Sequence, residues 1–327
     1  MRTCWVFDHP AHVRLLAPFL RAGTSSDIII ATDRCEVRQL MESSEGVLPR
    51  RQTVWVERPV GKGRFQTAWK RMRIVRKELK TAAKNGHRFE RIIAVGAPLE
   101  LRVAKKLGIP KRWYISDTEV NHLAHKLARN AATDAIFPTH CDESIDGAWL
   151  KKFEQKKVNI HRLNGLHGHV HLAPHRRPSK VSNPPRVVVR RLKGDGIHDG
   201  DELVPFPDDA LDGLSTTVAD EGEYEGSPWE LDRELAAHDG VITQSVTLAS
   251  EAALLGTPTL LISDAKRGFL DRLEIEGAPL FRWRGQNDAV EWGAVHAQFL
   301  AGLHLTDALE SAEWPDAKRQ LADLFNQ

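Results

Sequence analysis

Cysteine is scarce in this chain and does not cluster: Cys4, Cys35 and Cys141 are the three thiols in 327 residues. An odd number of distant cysteines with no CxxC pair excludes a disulfide framework and a thiolate zinc site. It points to reduced thiols in a cytoplasmic protein. Long apolar runs are missing too: none approaches the roughly 20 residues that cross a bilayer. The opening MRTCWVFDHP lacks the apolar core of a signal peptide, so none is expected there. Neither sign of charge is in excess, since 46 Lys and Arg stand against 44 Asp and Glu. That balance excludes a chain whose bulk charge serves to coat nucleic acid. Short repeats and low-complexity tracts are absent as well. What remains is an ordinary globular composition, long enough for two domains.

The patterning that is present alternates strand and helix. CWVFD (4–8) reads as a short apolar strand. HVRLLAPFLRAG (12–23) follows at helical spacing and stops at Gly23. DIIIAT (27–32) is a β-branched run of the kind buried in parallel sheets. TVWVER (53–58), RIIAVG (91–96) and RWYISD (112–117) continue the strands, with helices over 66–85 and 99–110 between them. APHRRPSKVSNPPR (173–186) carries four prolines and reads as a linker. RVVVRRL (186–192) restarts the strands, ELDRELAAHDG (230–240) is a helix, and the tail from about Asn287 is mostly helical. Alternation of this kind predicts an α/β architecture with parallel sheets covered on both faces. The expected domains are residues 1–178 and 179–327, each Rossmann-like and facing the other across a cleft. The last helix, AKRQLADLF (317–325), is a candidate to cross back to the first.

Ligands of open parallel sheets bind beyond the carboxyl ends of the strands, so the strand-to-helix turns are where chemistry is sought. VITQSVTLASEAALLGTPTLLIS (241–263) is one such turn. Gln244, Ser245, Thr247 and Ser250 line it, small enough for a phosphate to approach a helix start whose free amides favour anions. Glu251, one turn further in, is placed to accept from a ribose diol. A plain helix start with Thr247 as N-cap is the competing account. DHPAHV (8–13) repeats the logic in the first half: Asp8 ends a strand, and His9, Pro10 and His12 form the turn. His12 is the candidate general base, since imidazole titrates nearest neutrality, with Asp8 or Asp117 as its orienting partner. Helix capping is its competing account. Gly96 permits a close backbone approach. Asp117 and Glu119 follow another strand, where Asp117 equally suits an N-cap. Arg190 offers a fork that matches phosphate oxygens, and His198 follows eight residues on. A surface arginine and a solvated loop histidine are the alternatives.

Two further stretches stand out. LHGHVHL (166–172) alternates His167, His169 and His171, which on a strand would share one face. No acid or cysteine completes a ligand set, and no metal is assigned. Arg58–Arg91 holds twelve Lys or Arg and two acids. A solvated basic helix face is the usual meaning; an anionic membrane surface or a lipid-linked phosphate is the sharper one.

Taken in order, VITQSVTLASEAALLGTPTL, DHPAHV, LGIPKRWYISDTEVN (107–121) and VVVRRLKGDGIHDGD (187–201) resemble a prokaryotic GT-B-like family of unknown function. That family is related to GT-B glycosyltransferases and non-hydrolysing UDP-N-acetylglucosamine 2-epimerases. One departure is plain: Val246 stands where the family has a glycine in the phosphate turn. His12–Val13 is similar to the Gly-His-Val turn of lipid-linked N-acetylglucosamine transferases. The resemblance implies a GT-B fold and a glycosyltransferase that uses a nucleotide sugar, of UDP type, as co-substrate without a metal or other cofactor. It leaves a lipid-linked or membrane-associated glycan among the candidate acceptors; the balanced charge, with few aromatics beyond Phe65 and Trp69 in the basic stretch, leads us to expect no nucleic-acid partner. A 2-epimerase-like reaction and a non-catalytic relative that binds a nucleotide or a partner protein are the rival expectations.

Overall fold

The computed structural model describes all residues except 1, 44–47, 60, 62, 85–87, 117, 142–143, 145–148, 174–179, 193–202, 221–222, 225, 286–289 and 305–313. The chain divides into two compact units, Met1–His171 with Asp316–Gln327, and Leu172–Pro315.

The first unit opens with β1 (Thr3–Phe7), α1 (Pro10–Ala22) and β2 (Ile28–Thr32), then α2 (Cys35–Glu42), β3 (Gln52–Val56) and α3 (Arg64–Lys84). It continues with β4 (Arg91–Val95), α4 (Pro98–Lys106), β5 (Lys111–Ile115), α5 (His122–Ala128) and β6 (Asp134–Pro138). It closes with α6 (Trp149–Glu154), β7 (Asn159–Leu163) and the short α7 (Gly168–His171). The seven strands are parallel and ordered β3-β2-β1-β4-β5-β6-β7. Every residue of β1 and β2 is buried, as expected where helices cover both faces. Alternating side chains therefore feed two layers. Cys4, Val6, Ile28, Ile30, Ile92 and Tyr114 join Val75 and Leu79 of α3 and Leu101 of α4 in one core. Trp5 and Trp113 turn the other way, toward a terminal helix described below.

The second unit contains β8 (Arg186–Arg190), β9 (Ser215–Val218), α8 (Leu231–Ala237), β10 (Gly240–Thr243) and α9 (Val246–Leu254). β11 (Thr259–Ile262), α10 (Gly268–Ile275), β12 (Leu280–Trp283) and α11 (Trp292–Gly302) complete it. Its five parallel strands run β12-β11-β10-β8-β9. Gly240 opens β10 because α11 comes in close: a Cβ there would lie 2.4 Å from Leu303 Cδ2.

The last helix, α12 (Ala317–Asn326), belongs to the first unit. It packs on α7 and β7. Buried Phe325 sets its ring edge-on to Phe19 at 5.1 Å, Trp113 at 5.7 Å and Trp5 at 6.5 Å. Arg91 donates to the Phe325 carbonyl, and Gln320 exchanges two hydrogen bonds with the Asn164 backbone.

The histidine run departs from a strand. Residues 168–171 form a helical turn, so His167, His169 and His171 do not share one face. His169 Nδ1 instead accepts the Leu166 amide at 2.8 Å. Among the described residues no group of three or more His, Cys, Asp or Glu is arranged to hold a metal ion.

Candidate functional site

In each sheet the strand order reverses once. In the first unit the reversal falls between β1 and β4; in the second it falls between β8 and β10. At such a switch point the crossover helices leave on opposite faces and open a crevice beyond the strand ends. Asp8 and Gly96 follow β1 and β4, and Arg190 and Gln244 end or follow β8 and β10.

The turn of the second unit is laced by short side chains. Thr243 Oγ1 donates to the Arg190 carbonyl at 3.0 Å and accepts the Ser245 amide at 2.9 Å. Ser245, not Thr247, is the N-cap of α9: its Oγ accepts the Leu248 amide at 3.4 Å. Thr247 is exposed. Among the described residues the amides of Val246 and Thr247 have no acceptor in the chain. These are the orphan donors of a first helical turn, which bind water or an anion. Ser250 Oγ donates back to the Thr247 carbonyl at 2.9 Å. Arg190 Nη1 donates to the Ala219 carbonyl at 3.0 Å, which turns its guanidinium toward the end of the neighbouring β9. Glu251 is 4% exposed on the second turn of α9, beside buried Ala252.

Gln244 has another occupation. Its Oε1 accepts the Leu192 amide at 3.0 Å and its Nε2 donates to the Val204 carbonyl at 2.7 Å. With 6% exposure, this amide ties the residue past β8 at Leu192 to the later connection at Val204, and both its oxygen and its nitrogen have partners in the chain.

In the first unit, His9 is the N-cap of α1, its Nδ1 accepting the Ala11 amide at 3.3 Å. His12, one turn in, is buried, and its Nδ1 accepts the Asp8 amide at 3.4 Å. A neutral ring in that pose carries its proton on Nε2. The Asp8 carboxylate is directed elsewhere, to the Thr32 hydroxyl and to Arg71 Nη1 at 3.0 Å. Arg71 also donates from Nε to Glu100 Oε1 at 2.5 Å and from Nη1 to Thr32 Oγ1 at 3.0 Å. Burial alone would raise the Asp8 pKa. The Arg71 charge, the Thr32 hydrogen bond and the nearby His12 outweigh it, and the pKa falls below the ordinary carboxylate value. Glu100 goes the other way: burial dominates, Asp8 adds to it, and Arg71 only partly offsets them. Arg71 itself, though desolvated, is held protonated by Glu100 and Asp8. Asp8 is thus an anion fixed at the switch point, with the imidazole of His12 beside it.

Gly96 takes φ +59° and donates its amide to the Ile115 carbonyl at 3.0 Å, a left-handed turn that a side chain would strain. Glu119 is buried in the turn after β5, and Asn121 caps α5 through the Ala124 amide at 3.3 Å. Asp117 and His198 lie outside the described residues. Sequence reasoning passed over Thr32, Arg71 and Glu100. A signal existed for Arg71, which falls on the same helical stripe as Val75 and Leu79, where a cation needs a buried partner.

Two doubly wound parallel sheets in one chain define a GT-B-fold protein. No family model matches the sequence, and no curated protein matches it. The likeness is structural. A Listeria monocytogenes protein assigned as a UDP-N-acetylglucosamine 2-epimerase is similar over 99% of this chain and 95% of its own, with a TM-score of 0.65 at 12% identity. The UDP-GlcNAc 2-epimerase of Neisseria meningitidis, bound to UDP-GlcNAc, is similar over 100% of both chains, with a TM-score of 0.60 at 11% identity. Acinetobacter baumannii MurG is similar over 100% of this chain and 99% of its own, with a TM-score of 0.55 at 12% identity.

Proposed function

We propose that this chain is a nucleotide-sugar enzyme, and that it transfers a sugar from a UDP sugar to an acceptor. The observation that carries the reading is the turn into α9, at the switch point of a sheet in a GT-B fold. It offers two unclaimed amides and, one turn deeper on the same helix, the buried Glu251, while Arg190 ends β8, the strand paired with β10. Amides and guanidinium suit a diphosphate, and a carboxylate one turn deeper suits a ribose diol. Val246 at the first helical position sets a β-branched side chain beside these amides, so Thr247 is expected to lie nearest a bound phosphate.

In the first unit the ionised Asp8 and the adjacent His12 serve the acceptor. His12 in its resting tautomer donates from Nε2. Acting as a base requires the proton to move to Nδ1, at the expense of a 3.4 Å hydrogen bond from the Asp8 amide. A bond of that length is weak, about 1 kcal/mol or less, so the exchange is accessible. Asp8, with its lowered pKa, is a poor base and acts by charge, favouring the imidazolium that forms. A 2-epimerase-like reaction draws on the same donor site and is the second reading. It is favoured by the epimerases among the similar folds.

The test is thermal melting with UDP, GDP, ADP, CMP and their sugar conjugates. At about 100 times Kd a ligand contributes about 2.7 kcal/mol to the folded state. UDP is expected to raise the melting temperature of the wild type, and Glu251→Ala is expected to lose the rise. No shift with any nucleotide would refute the donor site. Loss of the substrate's C2 hydrogen to solvent, without any acceptor, would establish the epimerase reading instead.

A further inference from the structure

The outer face of α3 is built unlike a solvated helix. The helix holds eight Lys or Arg and one Glu, a net charge of +7 in a chain of net +2. One of the eight, Arg71, is buried; the others lie on the exposed side. A solvated face usually mixes charge signs so that neighbours one turn apart attract. Here Arg73 and Lys77, Arg76 and Lys80, and Lys80 and Lys84 are like-charged pairs at that spacing, and each costs stability. None of these cations has a carboxylate partner among the described residues. Two rings stand among them. Phe65 is 78% exposed and Trp69, one turn on, is 58% exposed. Arg64 lies over the first ring at 5.2 Å and Arg73 over the second at 5.5 Å. The other face of the helix is committed to the core through Val75 and Leu79, so the rings are not spare core residues.

We infer that α3 docks this protein on an anionic phospholipid surface. The cations are spread along a straight rod of roughly 32 Å. That suits a flat, laterally continuous anionic surface rather than a groove-bound strand, which needs a concave basic track. Trp and Phe among cations are the residues that settle at headgroup level, with Lys and Arg stems lying along the interface. Contact with anionic lipid relieves the self-repulsion of the face. The same helix holds Asp8 from its buried side through Arg71, so docking fixes that strand end relative to the lipid plane. The inference does not depend on which nucleotide or sugar the protein handles.

The experiment is co-sedimentation of the full chain with vesicles. One set contains about one-third phosphatidylglycerol in phosphatidylcholine, the other phosphatidylcholine alone. Wild type is expected to bind the first and not the second. Lys70→Gln/Lys77→Gln should bind roughly thirtyfold more weakly, from the charge lost near the surface. Phe65→Ala/Trp69→Ala should bind about tenfold more weakly or worse, with unchanged circular dichroism and melting temperature. All four positions are exposed, so neither variant threatens the core. Absence of binding to the anionic vesicles would overturn the inference, as would equal binding to both sets or wild-type binding by both variants. Single-stranded RNA that binds as tightly, through the same residues, would assign the face to nucleic acid instead.

Discussion

Replacing Arg71 with Met removes the only cation that touches both Asp8 and Glu100 among the described residues. Arg71 is 2% exposed and Glu100 1%, whereas the Asp8 side chain keeps 29%. Water can therefore reach Asp8 and cannot reach Glu100. Breaking a buried ion pair from one side costs about 3–5 kcal/mol, because the remaining charge is stranded. In a unit of this size that corresponds to a fall in melting temperature of roughly 6–20 °C. The pH dependence follows from the two carboxyls. Asp8 has a lowered folded pKa, so its stabilisation is present above the ordinary carboxylate range and is lost as pH falls through the folded value. Glu100 has a raised folded pKa, so its ionisation costs stability as pH rises through that value. Without Arg71 both carboxyls bind protons more tightly. The deficit of Arg71→Met relative to wild type should be largest near about pH 8 and should shrink toward about pH 5. Adding Glu100→Leu removes the stranded charge, and Arg71→Met/Glu100→Leu should recover at least half of the loss. Melting curves of the three proteins across that range decide the matter. A deficit independent of pH, or a double variant no better than the single, would refute the reasoning.

Two further substitutions probe the architecture around the candidate sites. Gln244→Ala leaves the Leu192 amide and the Val204 carbonyl without their partner, which should cost about 1–3 kcal/mol; hydrogen exchange at Leu192 should accelerate by at least tenfold while that of β10 stays slow. Phe325→Ala empties the space between Trp5, Phe19 and Trp113 and should destabilise the first unit by about 3–5 kcal/mol, with loss of near-ultraviolet dichroism from the two tryptophans.

Much of the strand framework was legible in the sequence for a simple reason. Strands buried on both faces must be apolar throughout, and DIIIAT and RVVVR announce themselves as β2 and β8. The strands that escaped notice are mostly at sheet edges. β7 reads NIHRL and β9 reads STTV, each with exposed positions that break any apolar run. β6 is interior, but Asp134 and Pro138 bound it and its apolar segment is three residues long. The site was legible to the extent that turn residues lie at strand ends, as Asp8, Gly96, Arg190 and Ser245 do. Side-chain partners were not. The sequence placed Arg71 on a basic helix, and nothing local shows that Asp8 and Glu100, 63 and 29 residues away, meet on its guanidinium. Gln244 is similar: its polarity suggested a ligand contact, and in the fold it bonds the backbone at Leu192 and Val204.

The return of α12 to the first unit makes that unit discontinuous along the chain, with the whole of Leu172–Pro315 inserted into it. During synthesis the socket formed by Trp5, Phe19 and Trp113 is therefore made long before the ring that fills it. The second unit emerges in full before Phe325 arrives. Over that interval three large aromatic side chains lack their covering helix, and the nascent first unit presents an apolar face to any chaperone or neighbouring chain. Its stability is settled last, by a helix separated from the rest of its own core by an entire second sheet.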